Sequence, residues 1–401
     1  MKISGRVLRA RESGTARIAR ITTELEAAGK SIFKLNVGEP DFDTPDFVKE
    51  AAHQAALDGK TRYTDVAGTA ELREAAANKF RSENAVECTT ENIIVGAGAK
   101  QLIFNALLAS LDDGDEVVIP TPCWVSYPDM VLIGGGTPRL VPCGAEMGHK
   151  MSAAMLEDVI GPNTRWLIIN SPCNPTGAVY TKAELAELAE VLRRHPQVAV
   201  VNDDIYEKII FRGEFATMAS VAPDLGGRIL TVNGVSKSLA MTGWRIGYAA
   251  GPRDLIAAMT KLQGQSTTNP SSVGQAAALA ALTDSCASNR FIRKCCEAYE
   301  RRRSLVHAAL GDAPGLRTEL PDGAFYHFVD CRKLVGTRLQ DGTVISDDRD
   351  VCEYLLQGAG VSVVPGSEFN GPGYFRLSFA ASDEVLVEAC RRIKAAVEAI
   401  G

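Results

Sequence analysis

Between residues 90 and 250 the chain alternates short apolar runs, rich in β-branched residues, with longer segments of helical periodicity. The runs NIIVGAG (92–98), EVVIP (116–120), WLIIN (166–170), VAVVND (198–203) and RILTVNGV (228–235) lack the in–out alternation of a half-exposed strand. Strands buried on both faces read this way, and they belong to parallel sheets whose crossover helices cover both sides. The intervening KQLIFNALLASL (100–111) and TKAELAELAEVLRRH (181–195) carry apolar residues at helical spacing. Thr181 and Glu184 supply a capping box that opens the second. Strand–helix alternation of this kind specifies an α/β fold.

The chain ends read differently. RESGTARIARITTELEAAGK (11–30) is a helical approach to the extended FKLNVGEPDFDTP. Past residue 290, a long amphipathic helix (NRFIRKCCEAYERRRSLVHAAL) precedes the strand-like DGAFYHFVD and YFRLSFA and a final helix, an α+β pattern. The expected organisation is therefore an N-terminal segment (1–47) packing with the small domain, a large domain (48–290) and a C-terminal small domain (291–401). QDGTVISDDRD (340–350) is expected to be an exposed excursion.

Composition excludes several classes. With 43 basic and 49 acidic residues and no basic run, nucleic acid and anionic membrane are not expected partners. The longest apolar stretches fall well short of the ~20 residues needed to cross a bilayer. The N-terminus lacks an apolar signal region, so a cytoplasmic location is expected. Ten cysteines are dispersed without C-x-x-C pairs, and five histidines are equally scattered; no metal site is expected.

Two segments could carry chemistry. GAGAKQ (96–101) follows a strand and opens a helix, but Gln101 stands where a third glycine would complete a dinucleotide fingerprint. It reads either as a tight turn or as an anion cradle, in which Gly98 admits a phosphate to the N–H groups of Ala99 and Lys100. NGVSKSLAMTGWRIGYAAG (233–251) sets Ser236, Lys237 and Arg245 around a turn after a buried strand. A lysine forming a Schiff base needs a desolvated setting with neighbouring cations, and a hydroxyl and an Arg fork suit a phosphate ester beside it.

On these residues the chain resembles the fold-type-I pyridoxal-phosphate aminotransferases of the aspartate aminotransferase class. SKSLAMTGWRIGY looks like their cofactor-lysine motif. GEPDFDTP, RYTDVAGTAELREA, GAGAKQ, PCWVSYPDM, NSPCNPTG, NDDIYEKI, TNPSS and YFRLSFA match in the family's order, over residues 10 to 395. The resemblance implies a large domain with a mainly parallel seven-stranded sheet covered by helices, a smaller α+β domain built from both chain ends, and pyridoxal 5'-phosphate as cofactor.

It also implies roles. Lys237 would hold the cofactor aldehyde and act as acid and base. Asp203 would pair with the pyridine nitrogen, and Tyr206 and Asn174 would bond the ring's phenolic oxygen. Trp124 would stack on the ring and flank the substrate. Gly98, Ala99, Lys100, Ser236 and Arg245 would hold the phosphate, with Tyr63 reaching in from a second subunit of a homodimer. Arg376, Gly38 and Asn174 would bind the substrate α-carboxylate. Lys100 reads equally as the partner of a distal carboxylate, with Ser13 and Thr15 as helpers. Asp204 reads as a solvated neighbour of Asp203, and the bland reading of Tyr63 is a half-buried aromatic serving its own chain. Cys123 and Cys173, beside Trp124 and Asn174, would tune the pocket or make it thiol-sensitive. The implied activity is ping-pong transamination between an L-amino acid, aspartate or glutamate first, and a 2-oxo acid such as 2-oxoglutarate. Aromatic or prephenate transamination, or a lyase on the same fold, is the alternative.

Overall fold

A computed structural model describes residues 1–10 and 14–400. After the short β1 (Phe33–Lys34) come seven strands: β2 (Ile93–Gly96), β3 (Glu116–Thr121), β4 (Thr137–Pro142), β5 (Thr164–Asn170), β6 (Ala199–Asp203), β7 (Ile229–Gly234) and β8 (Gly247–Ala250). They form one sheet in the order β2-β8-β7-β6-β5-β3-β4. β8 runs antiparallel to both its neighbours, and the other pairings are parallel.

The apolar runs are buried on both faces, as their composition requires. Val118, Leu167, Ile169 and Val200 pack to one side, in a core shared with Leu185, Leu188 and Leu192 of the helix Lys182–Arg194. Val117, Ile119, Ile168, Val201 and Leu230 pack to the other, against Leu102, Ile103 and Leu107 of the helix Ala99–Ser110. The expected capping box is present: Thr181 Oγ1 accepts from Glu184 N at 3.2 Å, and Glu184 accepts from Thr181 N at 2.7 Å.

A third core gathers the chain ends. It holds Leu35, the helix Ser285–Gly311 and the final helix Asp383–Glu398, with β9 (Tyr326–Asp330), β10 (Val361–Ser362) and β12 (Tyr374–Ser378), while β11 (Val364–Pro365) packs in a small separate cluster with Phe328 and Phe369. β11, β12 and β9 form an antiparallel sheet, while β1 pairs in parallel with β10. Phe291, on the long helix, packs against this core and against the large-sheet core.

The segment 340–350 corrects an expectation. Residues 340–344 are exposed, but Ile345 is buried and the helix Asp348–Tyr354 begins inside the segment. Asp347 caps that helix, accepting from Arg349 N and Asp350 N. Asp348 is fully buried and accepts from Ser367 N (2.7 Å), Ser367 Oγ (2.6 Å) and Gly373 N (3.2 Å). Its polarity is that of a buried carboxylate saturated with donors rather than of a solvated loop.

Candidate active site

The parallel strands end on one edge of the sheet, where open α/β sheets bind ligands. Their C-terminal ends line a cavity of about 500 Å³. Ala99 and Lys100 follow β2, Asn174 follows β5, Asp203 closes β6, Ser236 and Lys237 follow β7, and Arg245 precedes β8. β12 brings Arg376, the segment after β1 brings Gly38, and Trp124 and Tyr206 complete the wall. Residues scattered from 38 to 376 thus meet around one space.

Asp203 is 4 % exposed. Its Oδ2 accepts from Tyr127 Oη at 2.6 Å and its Oδ1 from Ile205 N at 3.3 Å. Burial raises its pKa to about 6, against the lowering effect of the Tyr127 hydrogen bond. Among the described residues it makes no ion pair, so this buried carboxylate faces the cavity in need of a cation. Lys237 Nζ donates to Gly38 O and lies 5.9 Å from the centre of the Tyr206 ring. Burial, then Arg376, push its pKa down to about 8. Arg376 is buried, with Nη1 on Asn174 Oδ1 (2.9 Å), Nη2 on Asn36 O (2.7 Å) and Nε without a partner.

A second corner is built for an anion. Gly98 has φ +87°, and a Cβ there would lie 2.5 Å from Arg245 Nη2, so glycine alone fits. Gly247 of β8 lets the helix start close to the sheet, since its Cβ would meet Ala99 N at 2.4 Å. Arg245 is fixed by Thr242 O and Ala97 O, and Ser236 is buried beside Lys237. The helix from Ala99 therefore aims free N–H groups at a space bordered by a hydroxyl and a guanidinium. Lys100 Nζ sits 4.7 Å over the Trp124 ring, whose other neighbour is Tyr127, edge-on at 5.3 Å.

Three expectations change. Asp204 is not solvated: it is fully buried on Asn202 Nδ2, and burial raises its pKa well above the usual carboxylate range. Tyr63 is 87 % exposed and lies away from this cavity, which rules out a half-buried aromatic serving its own chain. Burial raises the Cys173 pKa, keeping it a protonated and poorly nucleophilic thiol. Cys123 is buried, its backbone N–H on Phe369 O. Ser13 and the Thr15 side chain lie outside the described residues.

Residues 30–393 match the family model for aminotransferase class I and II. The chain belongs to the class I and II aminotransferases. A probable aspartate/prephenate aminotransferase of Rickettsia bellii is 51% identical over 385 residues, 96% of each chain. The aspartate/prephenate aminotransferase of Cereibacter sphaeroides is 49% identical over 98% of each chain. Among solved structures, the aspartate aminotransferase of Rhizobium meliloti superposes with a TM-score of 0.97 at 46% identity, covering 100% of both chains. The chain is thus a transaminase of fold type I, from a family that uses pyridoxal phosphate and acts on small molecules. Among the described residues no helix is long and apolar enough to cross a membrane.

Sequence reasoning missed two members of this aminotransferase's site, Tyr127 and Tyr326. Tyr127 is three residues past Trp124 on the same turn, a spacing that could have signalled it. Tyr326 opens β9, where four successive buried residues conceal which one faces the cavity.

Proposed function

We propose that this aminotransferase moves the amino group of aspartate or glutamate to a 2-oxo acid such as 2-oxoglutarate, with pyridoxal 5'-phosphate in the 500 Å³ cavity. The observation that carries the reading is Lys237: a cavity lysine lowered to about 8, with a cation-seeking carboxylate and a half-satisfied guanidinium in the same cavity. The residues fit the cofactor. Asp203 would hold a proton on the pyridine nitrogen, and Tyr206 and Asn174 would bond the phenolic oxygen. Trp124 would cover the ring, and Gly98, Ala99, Lys100, Ser236 and Arg245 would enclose the phosphate. When bound, the cofactor supplies an electron sink for negative charge at the substrate α-carbon.

Arg376, with Gly38 and Asn174, orients the α-carboxylate in a two-pronged contact. Lys237 Nζ then takes the α-proton, and its lowered pKa leaves a useful fraction of free amine near neutral pH. Lys100, at the rim over Trp124, is placed to meet a distal carboxylate. The names of the two relatives favour one second reading, in which prephenate is an alternative amino acceptor.

Two wider features belong to the same proposal. The exposure of Tyr63 supports a homodimer in which it completes the phosphate site of the partner. Separate cores bridged at Phe291 support the division into a segment 1–47, a large domain 48–290 and a small domain 291–401. A cytoplasmic location is proposed with them. The experiment is an amino-donor screen against 2-oxoglutarate, followed by product analysis. Exchange of the amino group led by aspartate is expected. Release of free ammonia or loss of the side chain would make the enzyme a lyase.

A further inference from the structure

Tyr326 has no part in the roles assigned so far, yet its side chain is wholly buried and lines the cavity. Its hydroxyl stands 2.7 Å from that of Tyr206, and either oxygen could be the donor. The ring lies under the Arg376 guanidinium, 4.5 Å from its carbon. A Cβ on Gly38 would come within 2.7 Å of the same hydroxyl. Among the described residues neither hydroxyl has another hydrogen-bond partner, so the pair shares one proton between its oxygens and keeps one to point elsewhere.

The direction of that pair decides what Tyr206 can do. If Tyr206 donated inward to Tyr326, its oxygen could offer the cavity only a lone pair. If Tyr326 donates to Tyr206, the Tyr206 proton must point outward. Burial raises the pKa of both phenols and keeps both protonated, with the nearby Arg376 cation offsetting part of that rise, so each retains a proton to donate. A phenol that accepts one hydrogen bond also donates a stronger one.

We propose that Tyr326 is a positioning residue: its hydroxyl donates to Tyr206 Oη and so commits the Tyr206 proton to the phenolic oxygen of the cofactor ring. This rests on the reading that Tyr206 meets that oxygen. Tyr326 belongs to β9 of the antiparallel sheet that also carries Arg376, whereas Tyr206 follows β6 of the large sheet. The hydrogen bond therefore ties the ring oxygen to the part of the fold that grips the substrate carboxylate.

The test is a pH titration of the visible absorption of the substrate-free holoenzyme, which reports the proton shared between the ring oxygen and the neighbouring Lys237 nitrogen. A donor on the ring oxygen stabilises the deprotonated form and lowers the midpoint. Y206F is expected to raise the midpoint, and Y326F to raise it by a smaller amount, about 0.2–0.6 pH unit, because it removes only the cooperative part. In the Y206F background, Y326F should add nothing. G38A, whose Cβ displaces the Tyr326 hydroxyl without altering either ring, should shift the midpoint in the same direction as Y326F. This second variant serves if Y326F fails to bind cofactor. An unmoved midpoint in Y206F would overturn the placement of Tyr206 itself. A shift in Y206F with none in Y326F and G38A would overturn the relay alone. So would a Y326F shift that persists in full without the Tyr206 hydroxyl.

Discussion

Replacing Asp203 by Asn should stabilise the protein without cofactor and weaken it with cofactor. Burial holds the Asp203 carboxyl near pH 6 in the folded chain, against an ordinary value of 3.8. Each pH unit of such a difference is worth about 1.4 kcal/mol, so ionising this group in the folded apoprotein costs about 3 kcal/mol relative to the unfolded chain. The sign follows from proton binding. The folded apoprotein holds this proton more tightly than the unfolded one, so stability falls as pH rises from about 4 to about 6 and is flat beyond. Asn carries no such cost and keeps an oxygen for Tyr127. Asp204 is raised too, but it is common to both proteins and cancels in the difference.

The advantage of Asp203→Asn in the apoprotein is therefore expected to widen by about 1.4 kcal/mol between pH 5 and pH 8. With pyridoxal phosphate present the order should reverse, because the pyridinium supplies the cation that Asp203 lacks and Asn cannot pair with it. Chemical denaturation of both proteins, with and without cofactor at the two pH values, measures this. An apoprotein gap that does not change with pH, or a wild-type apoprotein at least as stable as the variant at pH 8, would refute the argument.

Arg376→Lys replaces a fork by a point charge; it should leave cofactor absorption intact and lower kcat/KM roughly ten- to a hundredfold, and an unchanged kcat/KM for every donor would count against the role. Lys100→Ala should lower kcat/KM for aspartate and glutamate more than for phenylalanine, since only the acidic substrates lose a contact; equal losses would assign Lys100 to the phosphate. Mixing a Tyr63→Ala chain with a Lys237→Ala chain should restore activity, because the hybrid holds one site with its own Lys237 and an intact partner Tyr63. Hybrids shown to form but still inactive would mean that Tyr63 does not act across the interface.

The central strands were legible because burial on both faces leaves an unbroken apolar run. β4 was not: TPRLVP forms the outer edge of the sheet, with four of its six residues exposed and two of them proline. β8 was hidden for another reason. GYAA is four residues long and made largely of small side chains, because the helix from Ala99 packs close over Gly247. The paired carboxylates at 203 and 204 expose a limit of composition. Asp203 takes the cavity side and Asp204 bonds Asn202, so both are buried and polarity alone misjudged the second. Charged cavity residues were legible because an arginine in an apolar strand, such as Arg376, has few other uses. Tyr127 and Tyr326 look like core in sequence, and only the hydroxyl partners distinguish them.

The charges lining the cavity are unequal: Lys100, Lys237, Arg245 and Arg376 face a single carboxylate, Asp203. Such a site repels itself when empty of anions and favours ligands carrying a phosphate and a carboxylate. Lys237 feels this directly, since Arg376 and Arg245 both push its pKa down, Arg376 the more strongly. A substrate carboxylate docking on Arg376 cancels the larger of those two pushes. Neutralising a nearby cation favours the protonated amine, so the basicity of Lys237 rises when a carboxylate is in place. An amine held to a pKa of about 8 in the empty site thus becomes a stronger base once the group identifying an amino acid has bound. In the proposed mechanism, recognition of the α-carboxylate and removal of the α-proton would be coupled through the Arg376–Lys237 repulsion, with no conformational step required.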